Sequence, residues 1–301
     1  MMDPAKIEKI IPGDRVLINE PMSGHTTFRA GGNADLFITV ETTGELKRLT
    51  TLLKEENEEY IVVGNGSNLL VGDKGYRGAC IRLSGDFSDI EVKDTGIRAG
   101  AGVILSKVAD EAMKNSLSGF EFASGIPGTV GGAMVMNAGA YGGEMKDVVS
   151  SVDILTDRGE YRTLSNEEME FSYRNSIVRK EGYTVLSVRF ELSRGDRNAV
   201  KTVMEELALK RRDKQPLEYP SAGSTFKRPE GHFAGKLIMD AGLAGYNIGG
   251  ARVSEKHCGF IINAGGATAG DIYRLIQYVR DKVYENSDVR LELEVLMIGE
   301  F

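Results

Sequence analysis

Apolar positions along the chain switch between a period of two and a period near 3.6, and the switches mark its elements. Asp35–Val40 reads as a strand, and Thr43 then caps a helix with Leu46, Leu49 and Leu53 on one face. Tyr60–Val63 and Ala79–Leu83 predict further strands, followed by short strands at 88–100 and a helix near 103–114. From Ser118 to Gly143 the periodicity disappears and small residues dominate. Strands return at 148–156 and 184–192, where Leu186, Val188, Phe190 and Leu192 alternate with Ser187, Arg189 and Glu191. Past "SRGDRN" (193–198) the pattern turns helical: Val200, Val203, Met204 and Leu207 form one stripe, and Ile272, Leu275, Ile276, Val279 and Val283 another. The chain closes on a strand over 289–298. Helices and strands mix without the alternation of a doubly wound sheet, so the predicted class is α+β, with a domain boundary near 193.

Composition changes this picture at one point. Glycine occurs 37 times in 301 residues, well above an average near ~7%, with no repeat to explain it. One group, "VGNGSNLL", follows the strand Tyr60–Val63; a denser one, "SGIPGTVGGAMVMNAGAYGGE", covers 124–144. Glycine lets backbone N–H groups approach an anion, so two such loops could hold the two phosphates of a pyrophosphate. A Rossmann turn does not fit, because Leu69 stands where the third glycine belongs and Gly72, Gly75 and Gly78 forbid the helix that should follow. No GxxxxGK[ST] loop occurs.

The net charge of −7 argues against a general nucleic-acid binder. Cys80 and Cys258 show no metal or disulfide spacing, and His25, His232 and His257 are scattered, so no metal is expected. No apolar run nears ~18 residues, and the start lacks a signal-peptide core, which predicts a soluble cytoplasmic protein. Against the acidic background, Lys210, Arg211, Arg212 and Lys214 with Lys227 and Arg228 concentrate positive charge suited to an anionic small ligand.

Six stretches in order carry a resemblance: "TTFRAGG" (26–32), "VVGNGSNLLV" (62–71), "GIPGTVGGAMVMNAGAYG" (125–142), "FSYRNS" (171–176), "SAGSTFKRP" (221–229) and "LELEV" (291–295). The first three resemble the FAD-binding module of the vanillyl-alcohol-oxidase, or PCMH, type. Together the six resemble the UDP-N-acetylenolpyruvoylglucosamine reductase family, in the branch lacking a tyrosine-bearing insertion after Ser176. The resemblance implies an N-terminal segment (1–29) packing on an FAD-binding domain of two subdomains (30–193), then a substrate domain (194–301) whose last strand returns Glu294 to the active site. It implies non-covalent FAD, NADPH as reductant, a UDP-sugar substrate, and a monomer acting without nucleic acid or membrane. A PCMH-type flavin oxidase acting on a sugar or alcohol, or a non-catalytic binding protein, would share the fold.

By the same resemblance, the cofactor residues are Gly64, Asn65, Gly66, Ser67 and Asn68, with Ile126, Pro127, Gly128, Thr129, Gly132, Ala133, Asn137 and Ala140. Ser224 matches the proton donor and Arg174 the arginine that polarises the substrate carboxylate, a role suited to its fork of donors. Glu294 reads as the deeper of the two acids in "LELEV"; it has to be protonated, or paired with Arg174, to stand beside a developing dianion. Tyr173, Arg211, Lys214, Lys227, Arg228 and Tyr246 are the expected substrate contacts. Arg228 stands where the family pattern carries asparagine, which alters contacts to the uridine end.

Overall fold

The computed structural model describes residues 3–301; Met1 and Met2, the start of the expected N-terminal segment, lie outside them. The chain divides into two compact units, each assembled from separated stretches. One takes the residues up to Leu17, Phe37–Asn65 and Ala79–Arg211; the other takes Ile18–Leu36, Gly66–Gly78 and Arg212–Phe301. The last division falls inside the helix Arg197–Lys214, beyond the change in composition at 193. Only Val200 of that helix is fully buried, and Val203 of the expected stripe stays 43% exposed. A four-stranded sheet has the order Val16–Pro21, Asn33–Val40, Tyr76–Leu83, Tyr60–Val63.

In the first unit, Tyr60–Val63 lies parallel to Ala79–Arg82, with Tyr60 opposite Ala79 and Val63 opposite Arg82. The helix Thr43–Glu55 buries Leu46, Leu49, Thr50 and Leu53, and its N-cap is Thr42, one residue before the expected Thr43, because the Thr42 hydroxyl accepts from the Glu45 N–H. A five-stranded antiparallel sheet runs Tyr161–Ser165, Val149–Leu155, Thr184–Glu191, Gly96–Gly100, Ile90–Lys93. Val188 and Phe190 are fully buried as the alternation requires, and Phe190 meets Phe120 edge to face at 4.9 Å. Ser187, expected on the wet face, is also buried, with its hydroxyl bonded to Asp153 Oδ2 at 2.7 Å. The aperiodic stretch 118–143 contains a helix, Val130–Met136, which the sequence pattern misses.

In the second unit, the helix Ala269–Ser287 buries Ile272, Leu275, Ile276, Val279 and Val283. They pack into one core with Phe28, Leu70, Phe226, Ile238, Ile261 and Val295. Thr268 and Asp271 form a capping box on that helix, and the Asp73 carboxylate accepts from the N–H groups of Ala269 (2.8 Å) and Gly270 (2.7 Å). The expected strand 289–298 is regular only at Leu296–Ile298, which pairs parallel with Leu69–Val71. No helix among the described residues is long and apolar enough to cross a membrane.

Candidate active site

In the first unit the strand Tyr60–Val63 empties into Gly64 and Asn65, which seat on the second glycine loop. A Cβ on Gly64 would overlap Thr129 Oγ1, so any larger residue forces the turn or Thr129 to shift. The Asn65 amide donates to the Pro127 carbonyl at 2.7 Å. The second loop is pinned from behind: Leu105 N–H donates to Gly128 O, Val130 N–H to Val103 O, and Gly131 N–H to Ala101 O. Ile126 N–H donates to Ala123 O, Gly132 N–H to Thr129 Oγ1, and Ala133 N–H to Thr129 O. Of the 126–133 segment, this leaves the N–H groups of Gly128 and Thr129 with no acceptor among the described residues. Ala140 lies in a tight hairpin with Gly143, turned by Tyr141 and Gly142, both at positive φ.

Asn137 ends the helix Val130–Met136 in the left-handed region, at φ +40°, and is completely buried. Its side chain is engaged at both ends by the protein. Oδ1 accepts from the Lys146 N–H at 3.0 Å, while Nδ2 donates to the Glu144 carboxylate and to the Ser172 carbonyl at 3.3 Å. Ser172 and Asn175 exchange both backbone hydrogen bonds, at 3.0 and 3.2 Å, around a turn that holds Arg174 at φ +55°. A non-glycine residue there is strained, as residues at functional sites often are. The Arg174 guanidinium lies 5.2 Å from the centre of the Tyr173 ring, a cation–π contact at the surface. Arg211 lies over Gly125, and burial lowers its pKa from the ordinary value, with the nearby Tyr141 opposing.

In the second unit Gly66 sits at φ +60°, and a Cβ there would collide with the His25 carbonyl. Asn68 reaches the far end of the chain: its carbonyl accepts from the Leu296 N–H at 2.9 Å and its Nδ2 donates to the Glu294 carbonyl at 3.0 Å. Thr225, buried and one residue after Ser224, accepts at its carbonyl from the Glu294 N–H (3.0 Å) and donates its own N–H to Gly259 O (2.9 Å). Phe226 bridges Leu293 in antiparallel fashion. Ser224 and Glu294 therefore stand on paired segments, both half-buried, while Glu292 faces solvent and pairs with Lys227 Nζ at 3.1 Å. Arg228 is exposed and stacks its guanidinium on Phe233 at 4.0 Å. Lys214 is exposed, and Tyr246 stacks on Tyr278 with ring centres 4.6 Å apart. Thr225 was not among the expected site residues; its place next to Ser224 inside the motif "AGSTF" was the available clue.

A glycine loop with two unused backbone donors suits a bound anion, and the class follows: residues 34–165 match the FAD binding domain family, within the expected α+β fold. Residues 215–298 match the C-terminal domain of UDP-N-acetylenolpyruvoylglucosamine reductase. Similarity extends over the whole chain. It is 52% identical over 294 residues to the UDP-N-acetylenolpyruvoylglucosamine reductase of Alkaliphilus oremlandii, covering 98% of this chain and 97% of that one. It is 53% identical over 303 residues to that of Agathobacter rectalis, with 97% and 96% covered. The crystal structure of the Thermus caldophilus reductase superposes with a TM-score of 0.82 at 38% identity, covering 94% of this chain and 98% of that one. The chain belongs to the UDP-N-acetylenolpyruvoylglucosamine reductase family.

Proposed function

We propose that this chain reduces the enolpyruvyl ether of UDP-N-acetylglucosamine to UDP-N-acetylmuramate for peptidoglycan precursor synthesis, with FAD bound and NADPH as reductant. One observation carries the reading: Thr225 O accepts the Glu294 N–H at 3.0 Å, so the segment that bears Ser224 pairs with the segment that bears Glu294 in a chain of this family. FAD, when bound, takes two electrons from NADPH and delivers them to the enolpyruvyl double bond. The donors that suit its pyrophosphate are the N–H groups of Asn65, Gly66 and Ser67 and those of Gly128 and Thr129. Gly64 and Gly66 keep side chains out of the turn.

The other steps belong to the chain's own residues. Arg174 offers two parallel donors to the substrate carboxylate. As the terminal methylene becomes a methyl group, negative charge moves onto that carboxylate as an enolate, and a cation already in place lowers the barrier. Ser224 Oγ gives its proton to the carbon that bears the ether oxygen, completing the saturated lactyl group. Glu294 does not stand beside the enolate as a bare carboxylate, since a second uncompensated negative charge would oppose the step. Arg211 and Lys214, with Lys227 and Arg228, supply positive charge for the UDP diphosphate, and Tyr173 and Tyr246 supply ring faces. We place the enzyme in the cytoplasm as a monomer, independent of nucleic acid.

A sugar or alcohol oxidase would share the module at 34–165 but not the domain at 215–298. The test is anaerobic absorbance of the FAD-loaded protein. NADPH should bleach the flavin and the enolpyruvyl sugar should restore it within the turnover time. Bleached flavin indifferent to the sugar would overturn the reading.

A further inference from the structure

We infer that Asn137 is a positioning residue for Arg174 and acts on the substrate half-reaction, not on flavin binding. The inference rests on the proposed role of Arg174 toward the substrate carboxylate. Asn137 lies in the most conspicuous glycine loop, where the sequence suggests a cofactor contact. Its amide is fully occupied elsewhere. Oδ1 faces the Lys146 N–H, and Nδ2 faces the Glu144 carboxylate and the Ser172 carbonyl. The orientation is fixed by chemistry, because the reverse would press Oδ1 against a carboxylate and leave Nδ2 against an N–H.

The Ser172 carbonyl closes the turn that carries Arg174, since it also accepts from the Asn175 N–H at 3.2 Å. Ser176 Oγ donates to the Val135 carbonyl at 3.2 Å, so both ends of the turn are tied to the helix that Asn137 caps. Arg174 itself is held in the left-handed region, at φ +55°. A strained backbone persists only where its surroundings over-determine it, and these bonds do so here. Glu144 is steadied in turn by Lys146 Nζ at 2.6 Å. A buried amide held on three sides thus fixes the base of the arginine. Displacing such a base by about 1 Å lowers the rate on the order of 100-fold.

Asn137→Asp keeps the size and tolerates the left-handed backbone but replaces the donor with an acceptor facing Glu144 and Ser172. The measurements are FAD content, the rate of flavin bleaching by NADPH, and the rate and concentration dependence of reoxidation by the enolpyruvyl sugar. FAD content and bleaching should stay within about twofold of the parent, while reoxidation should fall about 10- to 100-fold and need more sugar for half-saturation. In an Arg174→Ala background the same substitution should change reoxidation by less than about twofold, because its route of action is gone. Loss of FAD, equal slowing of both half-reactions, or full additivity with Arg174→Ala would overturn the inference. Should the aspartate variant fail to fold, Asn137→Gly, which retains the backbone, takes the same measurements. Normal reoxidation in Arg174→Ala alone would instead sink the role of the arginine, a separate outcome.

Discussion

Replacing Gly64 by alanine isolates the steric part of the turn assigned to FAD. Gly64 is not among the residues at positive φ, so alanine meets no backbone penalty, and the exchange alone stabilises by about 0.4–1 kcal/mol through the unfolded chain. Against that, the new Cβ would lie well within 3.0 Å of Thr129 Oγ1, 3.2 Å from Cγ2 and 3.3 Å from Cβ. Carbon contacts are comfortable from ~3.5 Å, so the turn or Thr129 has to yield by roughly 1 Å. Thr129 cannot yield freely: it caps Val130–Met136 through Gly132, and the backbone on either side is bonded to Val103 and Leu105. Such a cap is worth about 1 kcal/mol, and overpacking costs about 1–3 kcal/mol, so the steric effect outweighs the entropic gain. If the Asn65 turn moves to make room, its N–H donors leave the phosphate. An affinity loss of about 1.4–2.8 kcal/mol then corresponds to roughly 10- to 100-fold weaker FAD binding. Fluorescence titration of the apoprotein with FAD measures it. Thr129→Ala removes Oγ1 and Cγ2, so Gly64→Ala should do less harm in that background than alone. Unchanged FAD affinity in Gly64→Ala, or strict additivity with Thr129→Ala, would refute the argument.

Ser224→Ala should leave flavin bleaching by NADPH intact and slow reoxidation by the enolpyruvyl sugar about 10²- to 10⁴-fold, as loss of a general acid does; stopped-flow absorbance separates the two. Asp73→Ala removes the acceptor for two N–H groups at the start of Ala269–Ser287 and should lower stability by about 1–2 kcal/mol in urea denaturation; an unchanged midpoint would deny that cap any weight. His257 accepts the Gly259 N–H at Nδ1, and burial lowers its pKa below the ordinary 6.5. As pH falls through 6.5 the unfolded chain takes up a proton before the folded one does. Its contribution is therefore complete above that pH and is lost as pH falls toward the folded value. The stability advantage of the parent over His257→Gln should shrink from pH 7.5 to 5.5, and a constant gap would remove His257 from the pH dependence.

Elements set by local pattern were legible in the sequence. Tyr60–Val63 was bounded by the glycine after it, and Leu46, Leu49 and Leu53 announced their helix one residue from its true cap. Elements set by distant partners were not. Val130–Met136 has two glycines and no period, and forms because Thr129 caps it and Ala101 and Val103 accept from its first N–H groups. The "LELEV" run alternates like a strand, yet regular pairing begins only at Leu296, where Leu69–Val71 supplies the partner. The division of the chain is invisible for the same reason, since 18–36 and 66–78 join a core made mainly by residues beyond 212.

The site shows the same split between residue type and partner. An excess of glycine around 64 and 124–144 suffices to predict a backbone cradle for an anion, because glycine's absence of a side chain is itself the functional property. Which N–H groups remain available depends on Ala101, Val103, Ala123 and Thr129, whose oxygens occupy the others. Side-chain roles were harder still. Asn137 lies among apparent cofactor residues, but its partner Ser172 is 35 residues away, and Asn68 finds Glu294 across 226. A motif read along the chain groups residues by sequence proximity, whereas a buried amide is assigned by whichever acceptor the fold brings within 3.3 Å of it. For a reductase that must hold a cofactor, a carboxylate and a proton donor at fixed separations, such long-range bonds carry the geometry, and they are the ones a single sequence does not display.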